Sequence, residues 1–258
     1  MSITFNHKVG QHGNQLFVCI QAAIIAKLNG MNIQMPTNGL VDFRPVDDEV
    51  PTNVSRRRVR HSSNHIEKDE HIHLDRGFYQ DVSLFNPHMS LITKEILNLP
   101  EIHKNMNDVV IHIRLDGFNH NGHNSHIIDP NWYTSILDSL QYNKLFIVMD
   151  SKSGRIWKKQ NDHKKRYLDT FAPYNPIMVC GTAREDFEFL RSFDTIICSN
   201  STFCFWASFL GEATHCFMPP FWESKHSRLS HIQGATVVPT NYSYINIDTM
   251  ENVHITFQ

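Results

Sequence analysis

Four short apolar runs in the second half of the chain constrain its fold most. They are Val109 to Ile113, Leu145 to Met149, Ile177 to Cys180 and Thr195 to Cys198. The first is interrupted only by His112. A strand with one wet face alternates apolar and polar residues, whereas a strand covered on both faces does not. Helical patterns separate the runs, over Trp132 to Leu140, Trp157 to Phe171 and Ala183 to Phe193, and a further helix is predicted over Thr202 to Leu210. Strands alternating with helices make βαβ units and a parallel sheet. Each run is followed at once by a polar or glycine position: Arg114, Asp150, Gly181 and Ser199-Asn200-Ser201-Thr202. Open parallel sheets take ligands at the carboxyl ends of their strands. These residues are therefore expected to converge on one crevice.

The amino-terminal part reads as strand, turn, helix. Ile3-Thr4-Phe5 is a short strand, and Gly10 and Gly13 mark a turn. Phe17, Ile20, Ile24 and Leu28 then recur on one helical face, and Gly30 ends the helix. Met31 to Met35 is a second strand candidate. From about Thr37 to Glu70 there is no clean periodicity; Pro45, Pro51, Asp47-Asp48-Glu49 and Arg56-Arg57-Arg58 make it loop-rich.

With 258 residues the chain can form one large domain or two compact ones. Its net charge of −2 offers no global basic field for nucleic acid or an anionic membrane. No run reaches the ~18 apolar residues of a membrane span, although peripheral membrane contact stays open. The start of the chain lacks a basic region followed by an apolar stretch, so a cytoplasmic location is expected. The 5 cysteines form no CxxC pair and read as buried free thiols in a reducing compartment.

Three motifs carry candidate chemistry. Gly10-Gln11-His12-Gly13-Asn14 before a helix is either a tight turn with a cap or a backbone cradle for an anion or sugar. It matches neither standard nucleotide fingerprint. His112 and Arg114 share one face of a strand, and an arginine at a strand end can fork onto a phosphate. A buried structural histidine beside an ion-paired arginine fits the same spacing. Ser199-Asn200-Ser201-Thr202 before Phe203 is a helix cap, or a pocket of hydroxyls and amides for phosphate. His120, His123 and His126, like His71 and His73, lack a cysteine or carboxylate at a zinc-site interval and read as loop residues. Asp47-Asp48-Glu49 reads as a solvated turn rather than a magnesium site. No metal site or cofactor is expected.

Six segments, in order, resemble the motifs of family 11 glycosyltransferases, the α-1,2-fucosyltransferases. Val9-Gly10-Gln11-His12-Gly13-Asn14-Gln15-Leu16-Phe17 is similar to "GGLGNQLF", and Leu74 to Gln80 to "L.GYFQ". Val110-Ile111-His112-Ile113-Arg114 is similar to the first half of "VHIRRGDY". Phe146 to Asp150 with Trp157 resembles "VFSDD...W", and Ile197 to Ala207 resembles "IANSTFSWWAA". Phe217 to Trp222 resembles the proline-tryptophan segment that follows. The second arginine of the third motif is Leu115 here, followed by Asp116-Gly117. In that group the arginine pair is held to grip the donor diphosphate, so Leu115 bears on donor identity.

The resemblance implies an α/β protein of GT-B type, two Rossmann-like halves with a cleft between them. Residues 1–105 would be the acceptor half, 106–240 the GDP-sugar half and 241–258 a carboxyl-terminal tail. It implies an inverting, metal-independent fucosyltransferase that moves L-fucose from GDP-fucose to a galactose-like hydroxyl. The partners would be a nucleotide-sugar donor and a glycan acceptor. Catalytic candidates are Arg114, for diphosphate charge, and Asp116, with Asp150, as general base. Donor-binding candidates are Gly13, Asn14, His112, Arg114, Asp150, Glu185, Asn200, Ser201, Thr202 and Phe203, with Glu185 or Asp186 holding guanine or ribose. The alternatives are a same-fold enzyme using another nucleotide sugar, or a non-catalytic binding relative.

Overall fold

A computed structural model describes residues 1–6, 12–44, 57–59, 71–74, 85–115, 127–149, 157–219 and 242–244. The chain divides into two compact units, Met1–Glu101 and a second beginning at Ile102.

In the first unit, β1 (Ser2–Phe5) leads to α1 (His12–Asn29), then β2 (Asn32–Ile33), β3 (Asp42–Phe43), β4 (Arg57–Val59) and β5 (His71–Leu74). A helical turn α2 (Met89–Leu91) runs into a π-turn over Ile92–Ile96 and then β6 (Leu97–Asn98). Four strands form a parallel sheet in the order β2-β1-β5-β4, while β3 and β6 pair antiparallel. Two of these strands lie inside the stretch read as loop. Alternation along β1 and β5 sends Ile3, Ile72 and Leu74 into a core with Ala22, Ile25 and Ala26 of α1. Ser2 and Thr4 face the other way with His71 and His73.

Helix α1 starts earlier than the glycine spacing suggested, so Gly13 lies inside its first turn. It is buried continuously from Leu16 to Ala26, because it packs on β1 and β2 and on the Ile92–Ile96 turn. Leu28, expected on the buried face, is 48% exposed, since it falls in the last turn beyond those neighbours. Gly30 ends the helix with φ 60°, a left-handed conformation that suits glycine.

The second unit contains β7 (Asn105–Ile113), α3 (Pro130–Leu137), β8 (Leu145–Met149), α4 (Trp157–Phe171), β9 (Ile177–Val179) and α5 (Ala183–Arg191). It continues with β10 (Phe193–Ile197), α6 (Thr202–Leu210), β11 (His215–Met218) and β12 (Tyr242–Tyr244). The six strands are parallel, in the order β12-β11-β10-β7-β8-β9. Sequential strands run outward from β7 on one side and from β10 on the other. This is the doubly wound Rossmann-like order, and its switch point falls between β7 and β10. Residues 242–244, within the segment read as a tail, supply the outermost strand.

Covering helices explain the apolar runs. Val109, Ile111 and Ile113 of β7 pack with Leu145, Ile147 and Met149 of β8 against Trp132, Tyr133 and Ile136 of α3 and Tyr167 and Phe171 of α4. The opposite face meets α5 and α6, where Phe146 lies 5.5 Å from Phe189 and His112 lies 5.4 Å from Phe203. The run at Ile177 behaves differently. β9 is an edge strand, and Ile177 and Met178 are 44% and 43% exposed rather than buried. Cys180 follows it, also exposed, which corrects the expectation of buried thiols; the other four cysteines are buried. Helix α3 starts at Pro130 because the Asp129 side chain caps it, accepting from Asn131 N at 3.0 Å. Among the described residues no helix is long and apolar enough to cross a membrane.

Burial separates the central strand from the edge. Ile111→Ala should lower unfolding stability by about 2–5 kcal/mol, whereas Met178→Ala should stay within about 0.5 kcal/mol of wild type. Urea denaturation of the two variants checks the contrast.

Candidate functional site

The carboxyl ends of β7 and β10 are neighbours, with Ile111 opposite Ile197. His112 stands in β7 one residue before its end, and Arg114 follows directly after the strand. Beyond β10 come Ser199, Asn200 and Ser201, and then α6. One side-chain bond ties the two ends together: His112 Nδ1 to Ser199 Oγ, 2.7 Å, in a buried setting. Phe203 in the first turn of α6 stacks on the His112 ring, with centroids 5.4 Å apart and planes at 27°. Phe187 of α5 meets Phe203 edge-on at 5.5 Å. A short aromatic column therefore fixes the imidazole from behind.

The charge state of His112 follows from this packing. Burial, reinforced by the positive charge of Arg114, pushes its pKa down to about 3. The ring is neutral at physiological pH, and the permanent cation here is Arg114. Arg114 is half-buried.

Ser199, Asn200, Ser201 and Thr202 are all buried. Ser201 takes the N-cap position of α6 with extended backbone, yet its side chain makes no cap bond. Its Oγ is enclosed and, among the described residues, has no hydrogen-bond partner. An enclosed hydroxyl without a partner is costly, so such a group calls for an explanation. The first-turn amides of α6 also lack intrahelical acceptors and add the positive end of a helix dipole. Hydroxyls and helix-start amides past β10, with a guanidinium past β7, are groups of the kind that hold anions.

Leu115 is not among those groups. It is 7% exposed and belongs to the apolar core under α3 and α4. Consecutive residues of an extended chain point to opposite faces. The alternation of β7 continues past its end, so Leu115 joins Ile111 and Ile113 while Arg114 follows His112.

Glu185 is otherwise engaged. Its carboxylate accepts from Thr182 N at 2.7 Å, and Thr182 Oγ1 accepts from Glu185 N at 3.3 Å, a reciprocal cap on α5. Asp186 likewise accepts from Gly181 N at 2.8 Å. Gly13 and Asn14 lie in the first turn of α1, in the first unit. Gly10, Asp116, Asp150, Asp47-Asp48-Glu49, Trp222 and the histidines at 120, 123 and 126 lie outside the described residues. His71 and His73 are bonded through Nδ1 to Ser2 Oγ (2.8 Å) and Thr4 Oγ1 (2.9 Å) across β1 and β5. Among the described residues no three His, Cys, Asp or Glu side chains gather as metal ligands.

Ser199 was read as part of a motif that is either a cap or a phosphate pocket, but its bond to His112 was not foreseen. Phe187 was read only as a helix residue, because its role depends on how α5 crosses the sheet.

An open parallel sheet in this strand order defines an α/β protein of doubly wound, Rossmann-like fold. The family model for glycosyl transferase family 11 matches residues 88–244, more than half the chain and nearly all of the second unit's described sheet. The chain belongs to that family and is a glycosyltransferase. No curated protein matches it.

Two measurements follow. The folded chain resists protonating His112 down to about pH 3, whereas the unfolded chain accepts that proton near 6.5. This contribution is full above pH 6.5 and is lost as pH falls toward 3, at up to about 1.4 kcal/mol per pH unit. Urea midpoints between pH 7 and 5 should show the slope, and His112→Gln should flatten it. Leu115→Arg should not place a second guanidinium beside Arg114. It places a charge in an apolar core and should cost several kcal/mol of stability in the same assay.

Proposed function

We propose that this chain is an inverting fucosyltransferase that takes GDP-fucose and forms an α-1,2 link to a galactose-like hydroxyl. The supporting observation is the corner between β7 and β10, where Arg114, the bonded His112–Ser199 pair and the start of α6 meet. In this reading the second unit holds the donor and the first unit the acceptor, as two Rossmann-like halves of a GT-B enzyme.

The chemistry asks for what that corner offers. Displacement at the anomeric carbon releases a diphosphate, on which negative charge grows in the transition state. Fixed positive charge and oriented donors at that position lower the barrier. Arg114 supplies the charge. Ser201, Thr202 and the α6 amides supply donors, and Asn200 lines the turn between them. His112 is neutral, so it donates or accepts a hydrogen bond rather than adding charge. These groups do the work that a divalent cation does elsewhere, so the reading includes no metal. The acceptor hydroxyl needs a base within hydrogen-bond reach; Asp116 and Asp150 are the candidates. Glu185, whose carboxylate caps α5, serves the donor by holding that helix start in shape.

A second reading, a different nucleotide sugar, is favoured by one observation: Leu115 faces the core, which leaves Arg114 as the guanidinium from this motif at the strand end. A nucleotide panel decides between them. GDP at a hundredfold excess over its dissociation constant should stabilise the protein by about 2.7 kcal/mol. Stronger stabilisation by UDP or dTDP would refute the fucose assignment. Release of GDP from GDP-fucose with galactosides present, unaffected by EDTA, should fall about 10²–10³-fold in Arg114→Ala. Binding without turnover would point to a non-catalytic relative.

A further inference from the structure

The bond between β7 and β10 has a direction that the structure resolves. Ser199 is 2% exposed, and among the described residues its hydroxyl bonds only to His112. A serine hydroxyl carries one proton, and a neutral imidazole carries one ring proton. If Nδ1–H donated to Oγ, the serine proton would be buried with no acceptor, at a cost of about 1–3 kcal/mol. If the hydroxyl donates, that proton is satisfied and the ring proton lies on Nε2. Nε2 is not among the enclosed side-chain atoms that lack a partner. The 8% of His112 that stays exposed leaves that proton within reach of water or a ligand.

The ring cannot readily turn to undo this. A flip would exchange Nδ1 with a carbon and break the bond to Ser199. Tilting would break the stack on Phe203, itself buttressed by Phe187.

We propose that Ser199 is a positioning residue: its hydroxyl donates to His112 Nδ1, holds the Nε2–H tautomer, and so aims a neutral N–H donor at a diphosphate oxygen beside Arg114. The proposal rests on the donor-site reading given above, but its tautomer half can be tested without any ligand. A neutral donor fits this position. A second cation would repel Arg114, whereas an N–H adds a directed bond with no proton uptake when the anion arrives.

The experiment uses the full chain labelled with ¹⁵N. Two-bond nitrogen–proton spectra distinguish the two imidazole tautomers, and the signal lost in His112→Gln assigns His112. The wild type should show unprotonated Nδ1 and protonated Nε2. Ser199→Ala should mix the tautomers, weaken GDP binding about tenfold, as expected for one lost hydrogen bond, and lower heat stability modestly, because the buried Nδ1 loses its partner. Ser199→Thr, which keeps the hydroxyl, should restore both tautomer and affinity. A wild-type His112 protonated on Nδ1 overturns the proposal, and this readout needs only the assignment variant His112→Gln to fold. So does a Ser199→Ala chain with unchanged tautomer and unchanged GDP affinity. A wild type with the stated tautomer that binds neither GDP nor inorganic pyrophosphate overturns the diphosphate role and the donor-site reading, while the Ser199–His112 geometry stands.

Discussion

Burial of β7 on both faces is the constraint from which the site follows. The strand sits mid-sheet, with α3 and α4 on one side and α5 and α6 on the other. A strand so placed cannot carry an unpaired polar group along its length. Polar residues are tolerated only outside the covered stretch, at Asn105–Asp108 on the amino side and from His112 onward at the carboxyl edge. The last inward-facing position on the α5/α6 side is His112, and the next on that side is Arg114. The histidine is accepted because it is neutral, bonded to Ser199 and stacked on an aromatic ring.

The same alternation assigns opposite roles to two adjacent residues. Arg114 continues the row that leads to the crevice, whereas Leu115 continues the row that fills the core. A charged side chain at position 115 would therefore enter the apolar core beneath α3 rather than the corner, and leucine fits that place. The α6 side behaves similarly: Ser201 forgoes its cap bond, a small local loss, and leaves an enclosed hydroxyl available where β10 ends.

Much of the second unit was legible in the residues. The runs at Leu145 and Thr195 and the helices at Trp157, Ala183 and Thr202 are where apolar patterning puts them, because covering helices impose that patterning. The run at Ile177 was misread for a physical reason. Three apolar residues look alike whether they are buried or lie on an edge, and only strand order shows that β9 has a single neighbour. Leu28 was misjudged likewise, because helical periodicity names a face but not how far along the helix the partner extends. The strands at His71 and at His215 were missed: the first alternates histidine with apolar residues, and the apolar part of the second is only Cys216-Phe217-Met218, too short to stand out. Within the site, Arg114 and the Ser199–Thr202 turn were visible, but the commitment of Glu185 to its own helix cap was not.

By itself, the amino-acid sequence determined the mixed α/β class, four of the six strands of the second unit's sheet and the family. Apolar runs and ordered motifs are local properties, and they survive without knowledge of neighbours. Only the tertiary structure decided that β7 and β10 are adjacent, that His112 meets Ser199 and Phe203, and that Leu115 turns to the core. Those facts depend on strand order and on which helix covers which face, and a linear pattern carries neither. The charge state of His112 belongs with them, because it is the desolvation of a packed interior, and not the residue type, that keeps the ring neutral.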